Sequence, residues 1–158
     1  MPEIPYQTVN FHFKVDFNFD AQDTTDIRFQ SVTGLDSTLD TESIKEGGEN
    51  RFEHAIPTRR KFGPLTLKRG LLKPKDSHLT RWLKKAFEDE VDKNFPSVTP
   101  IETVHISLLD ENHKVLMHWT INNVWPRSWR LGELDAGRGE VLIETLELNY
   151  NRLIYRDN

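Results

Sequence analysis

The chain has 158 residues, 36% of them hydrophobic and 29% charged, enough for one domain (residues 1–158) with a real core, which excludes wholesale disorder. It carries 21 basic against 25 acidic residues, a formal net charge of −4. Its longest basic cluster is Arg59-Arg60-Lys61, so no concentrated positive surface for phosphates is expected and specific nucleic-acid binding is set aside. The absence of cysteine excludes a disulfide scaffold, a thiolate metal site and a thiol nucleophile.

The opening Met1-Pro2-Glu3-Ile4-Pro5 has no basic stretch followed by an apolar one, and no apolar run approaches the roughly 20 residues that span a bilayer. The expectation is synthesis in the cytoplasm without a signal peptide or membrane anchor. Val9, Phe11, Phe13, Val15, Phe17 and Phe19 then occupy every second position, which predicts a long half-buried strand. Ile27, Phe29 and Val32 begin a second strand, which Gly34 ends.

From Asp36 to Asn50 the chain is polar, with Leu39 and Ile44 its only large apolar residues and Gly47-Gly48 a turn signal. This predicts a protruding hairpin or loop, with a return strand from Arg51 to Pro57. Ordering roughly fifteen residues at roughly 1–2 kcal/mol each exceeds the roughly 1.5–3 kcal/mol that each buried aliphatic side chain returns. The segment is therefore expected to gain its order against a neighbouring subunit. Ile44 would be the apolar anchor and Gly47-Gly48 the tip. Glu42, Glu46 and Glu49 would face basic residues such as Arg59, Arg60 and Lys61.

Leu65 to Gly70 reads as a short strand closed by glycine. Leu79, Trp82, Leu83, Ala86 and Phe87 follow the spacing of an amphipathic helix, with Asp76 or Ser77 as its cap. Val104, Ile106 and Leu108 alternate into a turn at Asp110-Glu111-Asn112-His113, and Val115, Met117, Trp119 and Ile121 alternate on the way back. Pro126 to Gly139 is expected to be a loop, and Val141 to Tyr150 the last strand. The pattern predicts a mainly β fold, an antiparallel sandwich or barrel of about six or seven strands with one flanking helix.

Catalytic patterns are missing. The six histidines form neither HxH nor HExxH, and His12, His105 and His118 are out of phase with the apolar faces of their strands, so no metal is expected. Glu144 and Glu147, three apart on a strand, point to opposite faces and cannot act as a pair. They are read as surface or inter-subunit ion-pair partners. No nucleophile elbow or phosphate loop occurs, and no cofactor is expected.

Four segments, in order, carry a resemblance. They are Val32-Thr33-Gly34-Leu35, Leu65-Thr66-Leu67-Lys68-Arg69-Gly70 ahead of a Trp82-bearing helix, the block from Trp119 to Trp129, and Glu144-Thr145-Leu146-Glu147-Leu148-Asn149-Tyr150. Together they resemble the phage tail tube family, from about Phe11 to Leu153. The resemblance implies a non-enzymatic subunit of the inner tube of a contractile injection device. Six copies would form a ring, and rings would stack around a lumen that holds a tape-measure protein or cargo. The implied partners are further copies of the chain, a contractile sheath, and baseplate, spike and tube-initiator proteins. The particle would become extracellular on release. The alternatives are a tube-initiating or baseplate adaptor ring of the same fold and, from another class, a small-molecule-binding β-barrel.

Overall fold

The computed structural model describes residues 12–19, 28–45, 47–48, 53–89 and 99–157. Nine strands lie among them: β1 (His12–Asp16), β2 (Ser31–Thr33), β3 (Ser37–Lys45), β4 (Glu53–Phe62), β5 (Leu65–Gly70), β6 (Ile101–Leu109), β7 (Val115–Leu131), β8 (Ile143–Asn149) and β9 (Arg152–Asp157). One α-helix, α1 (His78–Lys84), follows β5 and runs into a π-helical turn at Lys85–Asp89. Val9, Phe11 and Ile27 lie outside the described residues.

All pairings are antiparallel, and the architecture is sandwich-like rather than a closed barrel. β1, β6, the first half of β7 and β9 form one sheet, and the second half of β7, β8, β5 and β2 form the other. β7 belongs to both. Its residues Met117–Asn122 pair with β6 on one edge and β9 on the other, while Trp125–Leu131 pair with β8. The register on β9 (Asn122 opposite Arg152) continues without a shift onto β8 (Trp125 opposite Asn149). β8 and β9 therefore act as one long partner of β7. Where β7 passes between sheets, Asn123 takes φ 53°, and the buried positions step by three, from Ile121 to Val124. Asparagine tolerates this left-handed conformation better than most residues.

One expectation changes here. The segment after Pro126 was expected to be a loop, yet β7 continues to Leu131. Pro126 is accommodated beside a register shift between Pro126 and Ser128, the kind of irregularity where a strand tolerates proline. The seven strands of the two sheets match the expected six or seven, and the β3–β4 hairpin adds two more.

The core lies between the sheets. Val15, Leu65, Leu67, Val104, Ile106, Ile121, Leu146 and Leu148 are buried, and Leu79 and Leu83 of α1 close one side. Ser77 caps α1 by accepting a hydrogen bond from the Thr80 amide at 3.1 Å. The fold's glycine signal also has a steric cause. Gly34 has φ +92°, and a Cβ there would stand 2.0 Å from the Pro64 carbonyl oxygen. That close approach joins the end of β2 to the start of β5.

Candidate assembly surface

The polar segment forms one arm of a two-stranded hairpin. β3 pairs with β4 from Ser37–Phe62 at the root to Lys45–Glu53 near the tip, with an irregularity between Leu39 and Thr41. The described side chains of its outer part, Thr41 to Ile44 and Ala55 to Lys61, are exposed. Gly47 and Gly48 form the turn, Gly48 with φ +105°. Glu46 and Glu49 lie outside the described residues.

Glu42 stands opposite Ile56, and Ile44 is one pair further out on the same face. Ile44 and Ile56 are therefore diagonal neighbours, 46% and 44% exposed. The basic cluster sits nearer the root, where Arg60 faces Leu39 and Lys61 faces Thr38. Within one subunit Lys61 pairs with Asp40 (Nζ to Oδ2, 2.7 Å), leaving Glu42 and Arg60 at different levels of the hairpin. Leu39 stood out in the sequence as an apolar residue of the polar segment, whereas Asp40 and Ile56 did not. Asp40 is one more acidic residue in a polar run, and Ile56 gains its meaning only from the register.

The root is fixed to the core by aromatic contact. Phe62 packs against Tyr150 with ring centroids 5.6 Å apart, and the Tyr150 hydroxyl donates to the Gly34 carbonyl at 3.3 Å. Burial first, and the negative charge of Asp36 second, push the Tyr150 pKa up to about 12. Beside the root, Ser37, Thr38, Leu39, Arg60, Phe62 and Leu153 line a groove of about 400 Å³.

Glu144 departs from its expected role as a surface or inter-subunit carboxylate. It is 2% exposed, and its Oε1 accepts from Arg69 Nε, itself 3% exposed. Its Oε2 accepts from Trp129 Nε1 at 2.8 Å. Arg69 Nη2 also donates to Ser77 Oγ and Thr80 Oγ1, both at 3.0 Å, and the guanidinium lies 5.3 Å from the Phe29 ring centroid. This buried cluster ties the start of α1 to β5, β7 and β8. A buried charge held by this many partners is satisfied and positional. Glu147 points the other way, to Arg130 (2.8 Å) and Arg127 (3.9 Å). Among the described residues no three His, Asp or Glu side chains gather as a metal site would require. No described helix is long and apolar enough to cross a membrane.

Among the described residues β1 and β9 in one sheet and β2 in the other each leave an edge without a strand partner, as do the Trp125–Leu131 half of β7 and both strands of the β3–β4 hairpin. Open edges invite pairing with another chain. A second groove, of about 550 Å³, opens between β2 and the first sheet, where Phe13, Val32, Leu35, Leu108, Met117 and Trp119 line it with no charged residue.

The sequence profile described as T4-like virus tail tube protein gp19 matches residues 9–154. This chain belongs to the T4-like tail tube protein family. Its members are structural tube proteins, not enzymes. The chain is 30% identical to one in the 6-fold symmetrised baseplate of the anti-feeding prophage, with 98% of each chain covered and a TM-score of 0.76. A chain of the sheath–tube complex of an extracellular contractile injection system, PVC, in its extended state matches at 22% identity, with 98% and 95% covered and a TM-score of 0.75. An Hcp protein shares the fold at 9% identity, with 92% and 91% covered and a TM-score of 0.55. No curated protein matches the sequence. This tail tube family member is thus similar, along nearly its whole length, to tube and baseplate components of contractile injection systems.

Proposed function

We propose that this tail tube family member is the main inner-tube subunit of a contractile injection device. Six copies close into a ring, and rings stack into a hollow tube inside a sheath. The observation that carries this reading is the family match across residues 9–154. The edges of β2 and β9, which have no strand partner among the described residues, supply places for strand pairing between neighbours. The exposed hairpin, with Ile44 and Ile56 as apolar anchors and Glu42, Arg59 and Arg60 as charged flanks, supplies a contact that reaches beyond the subunit. A head-to-tail contact closes a ring if its rotation closes and otherwise runs on as an open filament, so closing the ring and stacking the rings take two different contacts. The sheath, the baseplate with its spike, and a lumenal tape-measure protein or cargo are the partners. The assembled particle acts outside the cell that made it.

One observation favours a second reading. The 30% identical relative belongs to a baseplate structure, so a tube-initiating or adaptor ring is the alternative. Copy number decides between them, because a tube protein is present in many rings per particle and an adaptor in about one. Quantitative mass spectrometry of purified particles should find this chain in a large excess over the spike. Sedimentation velocity and negative-stain microscopy of the purified protein, alone and with a baseplate nucleus, should show rings and then tubes. A strict monomer under both conditions would overturn the tube reading.

A further inference from the structure

Sheet pairing puts two exposed apolar features at opposite ends of β8. At one end, Leu148 faces Leu65, next to the hairpin root. At the other, Ile143 faces Gly70, where the chain arrives from the loop of residues 132–142. Five residue steps along a strand separate the ends by about 17 Å.

The loop presents a fixed apolar knob. Leu134 is 80% exposed, and Val141 and Leu131 are 74% and 52% exposed. Its backbone is nonetheless tied down. The Gly132 amide donates to the Ile143 carbonyl at 2.9 Å, the Arg138 amide to the Asp135 carbonyl at 3.2 Å, and the Gly137 amide to Asp135 Oδ1 at 2.9 Å. Leu134 stands between two carboxylates, Glu133 and Asp135. Arg138 neutralises Asp135 at 3.4 Å, while Glu133 and Glu140 make no ion pair with a described residue. The loop is therefore a preorganised leucine with a net acidic collar.

The hairpin-root groove has the opposite character. Its apolar lining is Leu39, Phe62 and Leu153, its volume is about 400 Å³, and Arg60 also lines it, next in sequence to exposed Arg59. Neither arginine makes an ion pair with a described residue. Exposed leucine at both places, with an acidic collar at one and a basic lining residue at the other, gives apolar and electrostatic complementarity between two surfaces of one chain. The ends of β8 are too far apart for one subunit to join them to each other.

We propose that Leu134 of one copy seats in the Leu39–Phe62–Leu153 groove of the next copy, with Glu133 against Arg60. The occupant of the groove is a second copy of this chain, bound head to tail. The inference rests on the tube reading and names the surface that hairpin contact meets. Preorganisation of the loop lowers the ordering cost of the contact, and its two unlike faces make it propagate rather than stop at a dimer.

The absence of native cysteine makes the test direct. Leu39→Cys and Leu134→Cys are made separately and together, and wild-type assembly on a baseplate nucleus is scored by microscopy in parallel. Oxidation of assemblies of the double variant should give a covalent ladder, with the 39–134 disulfide identified by peptide mass spectrometry. Each single variant should give no covalent dimer, since a disulfide requires Cα atoms within about 7 Å. An independent arm avoids the thiols. Arg60→Glu and Glu133→Arg should each raise the concentration at which tubes form by about tenfold or more, and their combination should recover most of the loss. Wild-type tubes with no 39–134 cross-link and no recovery in the charge-swapped variant would overturn this contact and leave the tube reading standing. No assembly of the wild-type protein on any nucleus would overturn both.

Discussion

Arg69 and Glu144 occupy positions that strand alternation gives to leucine. Arg69 is in phase with Leu65 and Leu67, Glu144 is in phase with Leu146 and Leu148, and the two stand opposite each other in the β5–β8 register. That phase was visible in the sequence. A charge in such an alternation nonetheless reads as solvent-facing until the strand beside it supplies an opposite charge at the same register position. Removing one member leaves the other buried and unpaired, so Glu144→Ala should cost about 3–5 kcal/mol in chemical denaturation. The double change Arg69→Met with Glu144→Leu should cost much less. Tyr150 gives a pH signature. Its folded pKa of about 12 exceeds the ordinary value of 10, so between those values the folded state holds the proton that the unfolded chain has released. Stability is therefore fully present below pH 10 and should fall as pH rises from about 10 to about 12. A Tyr150→Phe variant should lack that part of the fall in denaturant titrations taken across the window.

At the scale of elements, the sequence made most of the fold legible. The Leu65–Gly70 strand, the capped helix and the turn after Leu109 follow from local pattern alone, because each satisfies its own periodicity and capping chemistry. The end of β7 did not, since Pro126 and the following polar residues resemble a loop until β8 is seen pairing beside them. β9 was hidden for a related reason: Arg152–Asp157 has weak alternation and gains its strand from the β7 edge. The polar segment was legible as a protrusion and Gly132 to Gly139 as a loop, but Ile56 and the exposed Leu134 were not, because contact across strands and the aim of a loop side chain have no one-dimensional signature. Replacing everything between Asp40 and Thr58 by a two-residue turn keeps the Leu39–Arg60 pair and the Phe62–Tyr150 contact. The shortened protein should keep its circular dichroism spectrum and melting temperature within a few degrees and lose tube growth. Normal tubes would show the outer hairpin to be decoration, and an unfolded product would place it in the core.

At the scale of the whole molecule, the question is what holds the two sheets in one fixed relation. The shared strand bears on this. β7 is 17 residues long, about 56 Å of backbone at the usual rise, and the paired run of β8 and β9 accompanies it across the junction between sheets. Two sheets joined by ordinary loops could open separately, like covers on a soft spine. Two sheets joined by a continuous double rail cannot separate without breaking hydrogen bonds in both. Amide exchange should therefore report one cooperative unit. The central amides of β6, β7, β8 and β5 should share the slowest rates and a common opening free energy, while the outer β3–β4 amides exchange orders of magnitude sooner. Distinct opening energies for the two sheets would show that the junction at Asn123 is a hinge.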